Sequence, residues 1–102
     1  MQDGKRLNEL IAYQEQSIVS HMLIDRPAGT VTLFAFAAGQ GLSEHTAPFD
    51  ALVQVLDGDA EIAIAGAPSR LQAGDFVIMP AGIPHAVKSI SAFKMLLTMI
   101  KG

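Results

Sequence analysis

The sequence predicts an all-β domain, a sandwich or barrel of about eight or more short antiparallel strands. Three observations predict it. Short apolar or alternating runs recur along the chain from Ser17 onward. Turn residues separate them every ~8–12 positions, the spacing of all-β sandwiches and barrels. No stretch of helical periodicity stands between any two runs, so the crossovers of a parallel α/β sheet have nothing to be made from.

Taken in order, residues 1–16 form an N-terminal extension. In it Leu7, Leu10 and Ile11, at i, i+3 and i+4, predict one or two helical turns over 5–16. A single barrel domain spans 17–102. Its first strand is SIVSHMLI (17–24), closed by DRPAG. GTVTLFAFA (29–37) begins with Val31 and Leu33 alternating against Thr30 and Thr32, then turns apolar on both faces. AGQGLSEHTAP (38–48) reads as a glycine-rich loop, and ALVQVL (51–56) as a strand. DGD (57–59) is a hairpin turn, because glycine accepts a positive φ there. AEIAIA (60–65) alternates Ile62 and Ile64 against Glu61 and Ala63, and GAPS (66–69) turns again. DFVIMP (75–80), PHAVKS (84–89) and AFKMLLTMI (92–100) complete the set.

The last strand puts Phe93, Met95, Leu97 and Met99 on one face and Lys94, Leu96, Thr98 and Ile100 on the other. Both faces are partly apolar, and strand 17–24 behaves similarly. Two coverings satisfy that pattern: a partner subunit, or the N-terminal segment folded over one face. The expectation is a homodimer. Composition agrees, with 50% apolar and only 17% charged residues against a typical ~25%.

Charge and length exclude several classes. A net charge of −3 with scattered basic residues offers no footprint for nucleic acid. No apolar run approaches the ~18 residues of a membrane span. The first sixteen residues lack the apolar core of a signal peptide. With no cysteine there is no disulfide, no thiolate nucleophile and no sulfur-ligated metal. Cytoplasm is the expected location.

The candidate site residues are histidines. In GDFVIMPAGIPHAV (74–87), Gly74 is followed by five residues, then Pro80, Gly82, two residues and His85. This spacing is similar to the second motif of the cupin superfamily, with Ser89 where that motif ends in Asn. Gly39, His45 and Gly58 fit the frame of the first motif. The resemblance implies a small single-domain cupin with a jelly-roll β-barrel, often a dimer. It also implies that His45 and His85 face one cavity, and that Gly39, Gly58, Gly74, Pro80 and Gly82 are turn devices. In metal-bearing cupins this cavity holds a divalent transition metal (Fe, Mn, Ni, Cu or Zn). The two other usual ligand positions are Ala47 and Ala51 here, and alanine has no lone pair to offer.

Substitute ligands are few. Asp50 and Gln54 lie on the opposite strand parity from Ala51 and should face away, Asp50 unless an irregular entry after Pro48 bulges the strand. Glu44 sits on a loop, and His21 reads as a barrel-edge or interface residue. Phe34, Phe36, Phe49, Phe76, Met79 and Met95 read as core, with one or two lining a pocket. Ser43-Glu44-His45 is too local to be a catalytic triad. The first expectation is therefore a binding barrel for a small organic molecule at His45 and His85. The alternative is a metal-dependent cupin enzyme of dioxygenase, isomerase or decarboxylase type, using both histidines and a non-standard third ligand. A metal-free isomerase or lyase and a vestigial pocket complete the range.

Overall fold

Period-2 alternation sorts side chains onto the two faces of each strand, and the apolar faces then close on one another. The computed structural model describes residues 3–102; Met1 and Gln2 of the extension lie outside the described residues. The strands are β1 (Ile18–Arg26), β2 (Gly29–Phe36), β3 (Gly41–His45), β4 (Asp50–Asp57), β5 (Asp59–Ile64), β6 (Ala67–Gln72), β7 (Phe76–Met79), β8 (His85–Ser89) and β9 (Phe93–Ile100). One sheet runs β1-β2-β9-β4-β7 and the other β3-β8-β5-β6, with antiparallel pairing between all neighbours. This is the expected jelly-roll barrel.

The core lies between the sheets. Phe36, Val53, Val55, Phe93 and Met95 from the larger sheet meet Ala60, Ile62, Leu71 and Val87 from the smaller. Phe36 and Phe93 face each other across β2 and β9, with their rings stacked 4.5 Å apart.

Two strands differ from the sequence reading. Residues 41–45, expected within a loop, form β3, and residues 67–72, partly expected as a turn, form β6. Both are the edges of the smaller sheet. An edge strand needs little apolar surface, because ladder hydrogen bonds hold it; only Leu71 of β6 is buried. Helix-forming residues in the extension give a single 3₁₀ turn, Leu7–Glu9.

The extension then crosses the outer face of the larger sheet. Leu10, Ile11 and Tyr13 pack on Val19, Leu33, Ala35, Leu56 and Leu96. The Tyr13 hydroxyl donates to the Asp57 carboxylate. Lys94 Nζ donates to the Asn8 carbonyl at 2.6 Å and lies 5.0 Å from the Tyr13 ring centre. The double-sided burial of β2 and β9 is thus supplied by the chain itself. β1 does not follow its expected faces. A bulge between Met22 and Ile24 breaks the alternation, and this edge strand is exposed from Ser20 onward. Among the described residues, no helix is long and apolar enough to cross a membrane.

Candidate functional site

His85 is placed by the turn between β7 and β8. Gly82 adopts φ +74°, which residues with a Cβ resist. Its N–H donates to the Ala47 carbonyl at 2.8 Å, and the Ala81 N–H donates to the Asp50 carboxylate at 2.8 Å. The Pro84 carbonyl accepts from the Ala65 N–H at 2.8 Å. Three neighbouring segments therefore grip the turn, and His85 opens β8 with only 5% of its surface exposed.

His45 closes β3 directly opposite His85. It is the exposed member of the pair. Its Nδ1 lies 2.9 Å from the Ser43 carbonyl, and the Nδ1 of His85 lies 3.3 Å from the Ile83 carbonyl. A carbonyl oxygen only accepts, so both bonds need Nδ1–H. In the neutral tautomer each Nε2 is then a bare acceptor. The two Nε2 atoms are 3.2 Å apart, with the rings at 68°. Two lone pairs at that distance repel, so the arrangement calls for an electropositive centre between or beside them: a proton, a donor group of a ligand, or a cation.

The cavity at this pair has a volume of about 60 Å³. Around the histidines it is lined by Leu42, Ala47, Ala51, Val87, Leu97 and three methionines: Met79, Met95 and Met99. Among the described residues, no other titratable side chain lines it. Asp50 and Gln54 lie outside the lining, as strand parity predicts, and Asp50 is spent on the Ala81 N–H. Glu44 and His21 are exposed and also lie outside it. Ser89, which ends the second motif, is buried. Its hydroxyl lies 2.9 Å from the Ala37 carbonyl and 2.7 Å from that of Gln40, tying down the loop that carries Gly39. Gly39, Gly58, Gly74 and Gly82 all have positive φ. At Gly58 a Cβ would also strike the Ala92 carbonyl. Pro80 ends β7 at the mouth of the turn.

The sequence reading placed Phe76 in the core, but it is 64% exposed on the outer face, because Val77 and Met79 take the inward positions of β7. It missed Met99 as a lining residue. The signal is strand register: Ala51 pairs with Met79 on one side and Met99 on the other. That pairing is not visible in a linear sequence.

A divalent metal of the kind the resemblance implied does not fit these donors. Among the described residues no group of three or more His, Asp, Glu or Cys converges, whereas such sites use three or more protein ligands. Ala47 and Ala51 both face the cavity where donors would be needed.

The comparisons agree on kinship. A family model described as Cupin domain matches residues 32–101. No curated protein matches the chain significantly. A conserved protein of unknown function from Streptococcus pyogenes is 35% identical, with a TM-score of 0.94, covering 98% of this chain and 88% of its own. A Cupin 2 conserved barrel domain protein from Leptotrichia buccalis is 42% identical, with a TM-score of 0.89, covering 92% of this chain and 46% of its own. Salicylate 1,2-dioxygenase from Pseudoaminobacter salicylatoxidans shares 14% identity at a TM-score of 0.76, over 81% of this chain and 25% of its own, a likeness of fold alone. With two intact motif frames, a two-sheet jelly roll and a family match over most of its length, this chain belongs to the cupin domain family.

Proposed function

We propose that this protein is a binding barrel for a compact organic molecule. An acidic O–H or N–H group of the ligand docks on the Nε2 atoms of His45 and His85, and its apolar remainder lies against Leu42, Val87 and Leu97. The observation that carries this reading is the pair of acceptors 3.2 Å apart, each with its Nδ1 committed to a backbone carbonyl. Every other lining side chain is apolar or a thioether, which favours binding over catalysis. The cavity volume limits the guest. About 60 Å³ is far below the ~300–1,000 Å³ of a drug-sized site, so the ligand has few non-hydrogen atoms unless the flexible methionines repack around it. The metal-dependent enzyme reading gains no support from the donor set.

A thermal-shift series tests it, using weak acids that keep their proton at neutral pH, phenol and small azoles, beside their O-methyl and N-methyl forms. The acids should raise Tm with concentration, by mass action, and the capped forms should not. His45→Ala/His85→Ala should abolish the shift. If no acid shifts Tm, or if the shift survives the double substitution, the reading is wrong.

We further propose a homodimer and a cytoplasmic location. The outer face of the larger sheet carries a row of paired residues, Ile78, Leu52, Thr98, Val31 and Ile24. Ile24, Ile78 and the adjacent Ile100 are each more than half exposed. A second copy covering this row would bury it. Sedimentation equilibrium of the parent and of Ile78→Lys should give a dimer and a weakened dimer; a monomeric parent sinks the idea.

A further inference from the structure

We infer that Asp50 is a positioning residue for the candidate site: through the turn that precedes β8, it sets which nitrogen of His85 carries the proton. The role rests on the proposed docking of an O–H or N–H group at the two Nε2 atoms. It adds the residue that keeps the His85 Nε2 an acceptor. Asp50 itself lies outside the cavity lining, so it acts only through the turn.

Strand register puts Asp50 at the turn. It opens β4, which lies between β9 and β7 in the larger sheet. On one side it pairs with Ile100 of β9. On the other side the β4–β7 ladder ends at Ala51 and Met79. The next residue of that chain, Pro80, has no N–H with which to continue it. Strand parity turns the Asp50 side chain to the face opposite Ala51, and there it accepts the Ala81 N–H at 2.8 Å. A carboxylate thus supplies the bond that the ladder can no longer make, and a charge-assisted bond is the stronger kind.

The turn in its own right holds the His85 tautomer. Ala81, Gly82, Ile83 and Pro84 lead directly to His85. The Ile83 carbonyl receives the His85 Nδ1–H. At 3.3 Å this bond lies past the ~2.7–3.2 Å of an ordinary N–H···O bond, whereas the matching bond of His45 is 2.9 Å. A small displacement of the turn is enough to lose it. The turn's other tertiary holds are backbone bonds, to Ala47 and from Ala65. Asp50 is the neighbouring side chain that grips it.

Losing the Ile83 bond frees the other tautomer, and the histidine pair then closes on itself. With its proton on Nε2, His85 faces the His45 Nε2 at 3.2 Å. His45 keeps its Nδ1–H on the Ser43 carbonyl, so its Nε2 remains an acceptor. One ring donates to the other, and no pair of acceptors is left for a ligand. The open arrangement, with two lone pairs facing each other, is the less favourable one in an empty pocket. The grip on the turn is what holds His85 in it.

The test is nitrogen NMR of the imidazole side chains, which reads the tautomer of each histidine, combined with a phenol titration. It is run on the full chain as parent, Asp50→Ala and Asp50→Asn, and circular dichroism melts check that each folds. The parent should hold His85 as the Nδ1–H tautomer. Asp50→Ala should show the Nε2–H form and bind phenol at least roughly 10-fold more weakly, the scale of a lost hydrogen bond to a charged group. Asp50→Asn keeps an acceptor in place and should retain the parent tautomer and most of the affinity. A merely structural role would lower Tm and leave the tautomer alone. Hydrogen exchange at the Ala81 amide of the parent needs no variant, and that amide should be protected. The inference is overturned by an unprotected Ala81 amide, by a parent with His85 as Nε2–H, by a folded Asp50→Ala that keeps the Nδ1–H tautomer, or by Asp50→Asn behaving as Asp50→Ala. A parent that binds neither phenol nor an azole overturns the binding reading instead, and the tautomers still decide the role of Asp50.

Discussion

The two ends of the barrel interior are built differently. At one end Phe36 and Phe93 stack at 4.5 Å beside Val55 and Ala60, all essentially without exposure. The outer face there is also covered, because Ile11 and Tyr13 lie over Leu33, Ala35 and Leu56. At the other end small residues stand in the wall, Ala47 and Ala51, and a cavity opens beside the two histidines. Its outer face, at Leu52, Ile78 and Ile100, carries no such cover from the extension. One end is filled by fully buried side chains, and the other keeps space and polar groups. The difference teaches where this fold spends packing and where it leaves room for a guest.

Substitutions can break that contrast. The largest effect is expected at the filled end. Phe93→Ala removes a fully buried ring and its stacking partner contact, and should cost about 3–5 kcal/mol in urea unfolding. A cost below that of an ordinary surface change would mean the end is not tightly packed.

At the open end Ala51→Val adds two methyl groups into existing space. It should cost less than about 1.5 kcal/mol while abolishing the acid-induced thermal shift. A penalty matching Phe93→Ala would erase the contrast.

The cover over the filled end has a pH signature. Tyr13 is held above its ordinary pKa of 10.0 by burial first, then by its hydrogen bond to Asp57 and the charge of that carboxylate. The folded state therefore keeps the phenol proton that the unfolded chain releases. This contribution is complete below about pH 10 and is lost as pH rises above it. Melts between pH 8 and 11 should show Tm falling more steeply for the parent than for Tyr13→Phe; parallel curves would contradict it.

The smallest effect concerns backbone strain at the open end. Ala65 sits at φ +53° just before Gly66 at +79°, in the hairpin between β5 and β6. Asn tolerates that region better than Ala. Ala65→Asn should stabilise by about 0.5–1 kcal/mol, a fraction of the ~1–2 kcal/mol left-handed penalty. A loss of stability would mean that the strain lies elsewhere.

Much of this was legible beforehand. The alternating runs marked seven of the nine strands, because their inward faces must be apolar. Strands β3 and β6 were not legible, because exposed edge residues such as Ser69 and Arg70 carry no inward pattern. Parity alone turned Asp50 and Gln54 away from the cavity. It failed for β1, where the bulge near Leu23 resets the faces, and for Phe76, which parity and apolar character placed in conflict.

By itself the sequence determined the all-β class, the family and the two histidines that meet, since these depend on local periodicity and on spacing along the chain. Only the tertiary structure decided what surrounds them. Cross-strand register set Met79 and Met99 on either side of Ala51. Folding brought the N-terminal segment over Leu33 and Ala35, and sheet closure left about 60 Å³ beside the imidazoles. The physical reason is that register, cover and cavity volume are properties of contacts between residues distant in sequence. Local propensity is blind to such contacts.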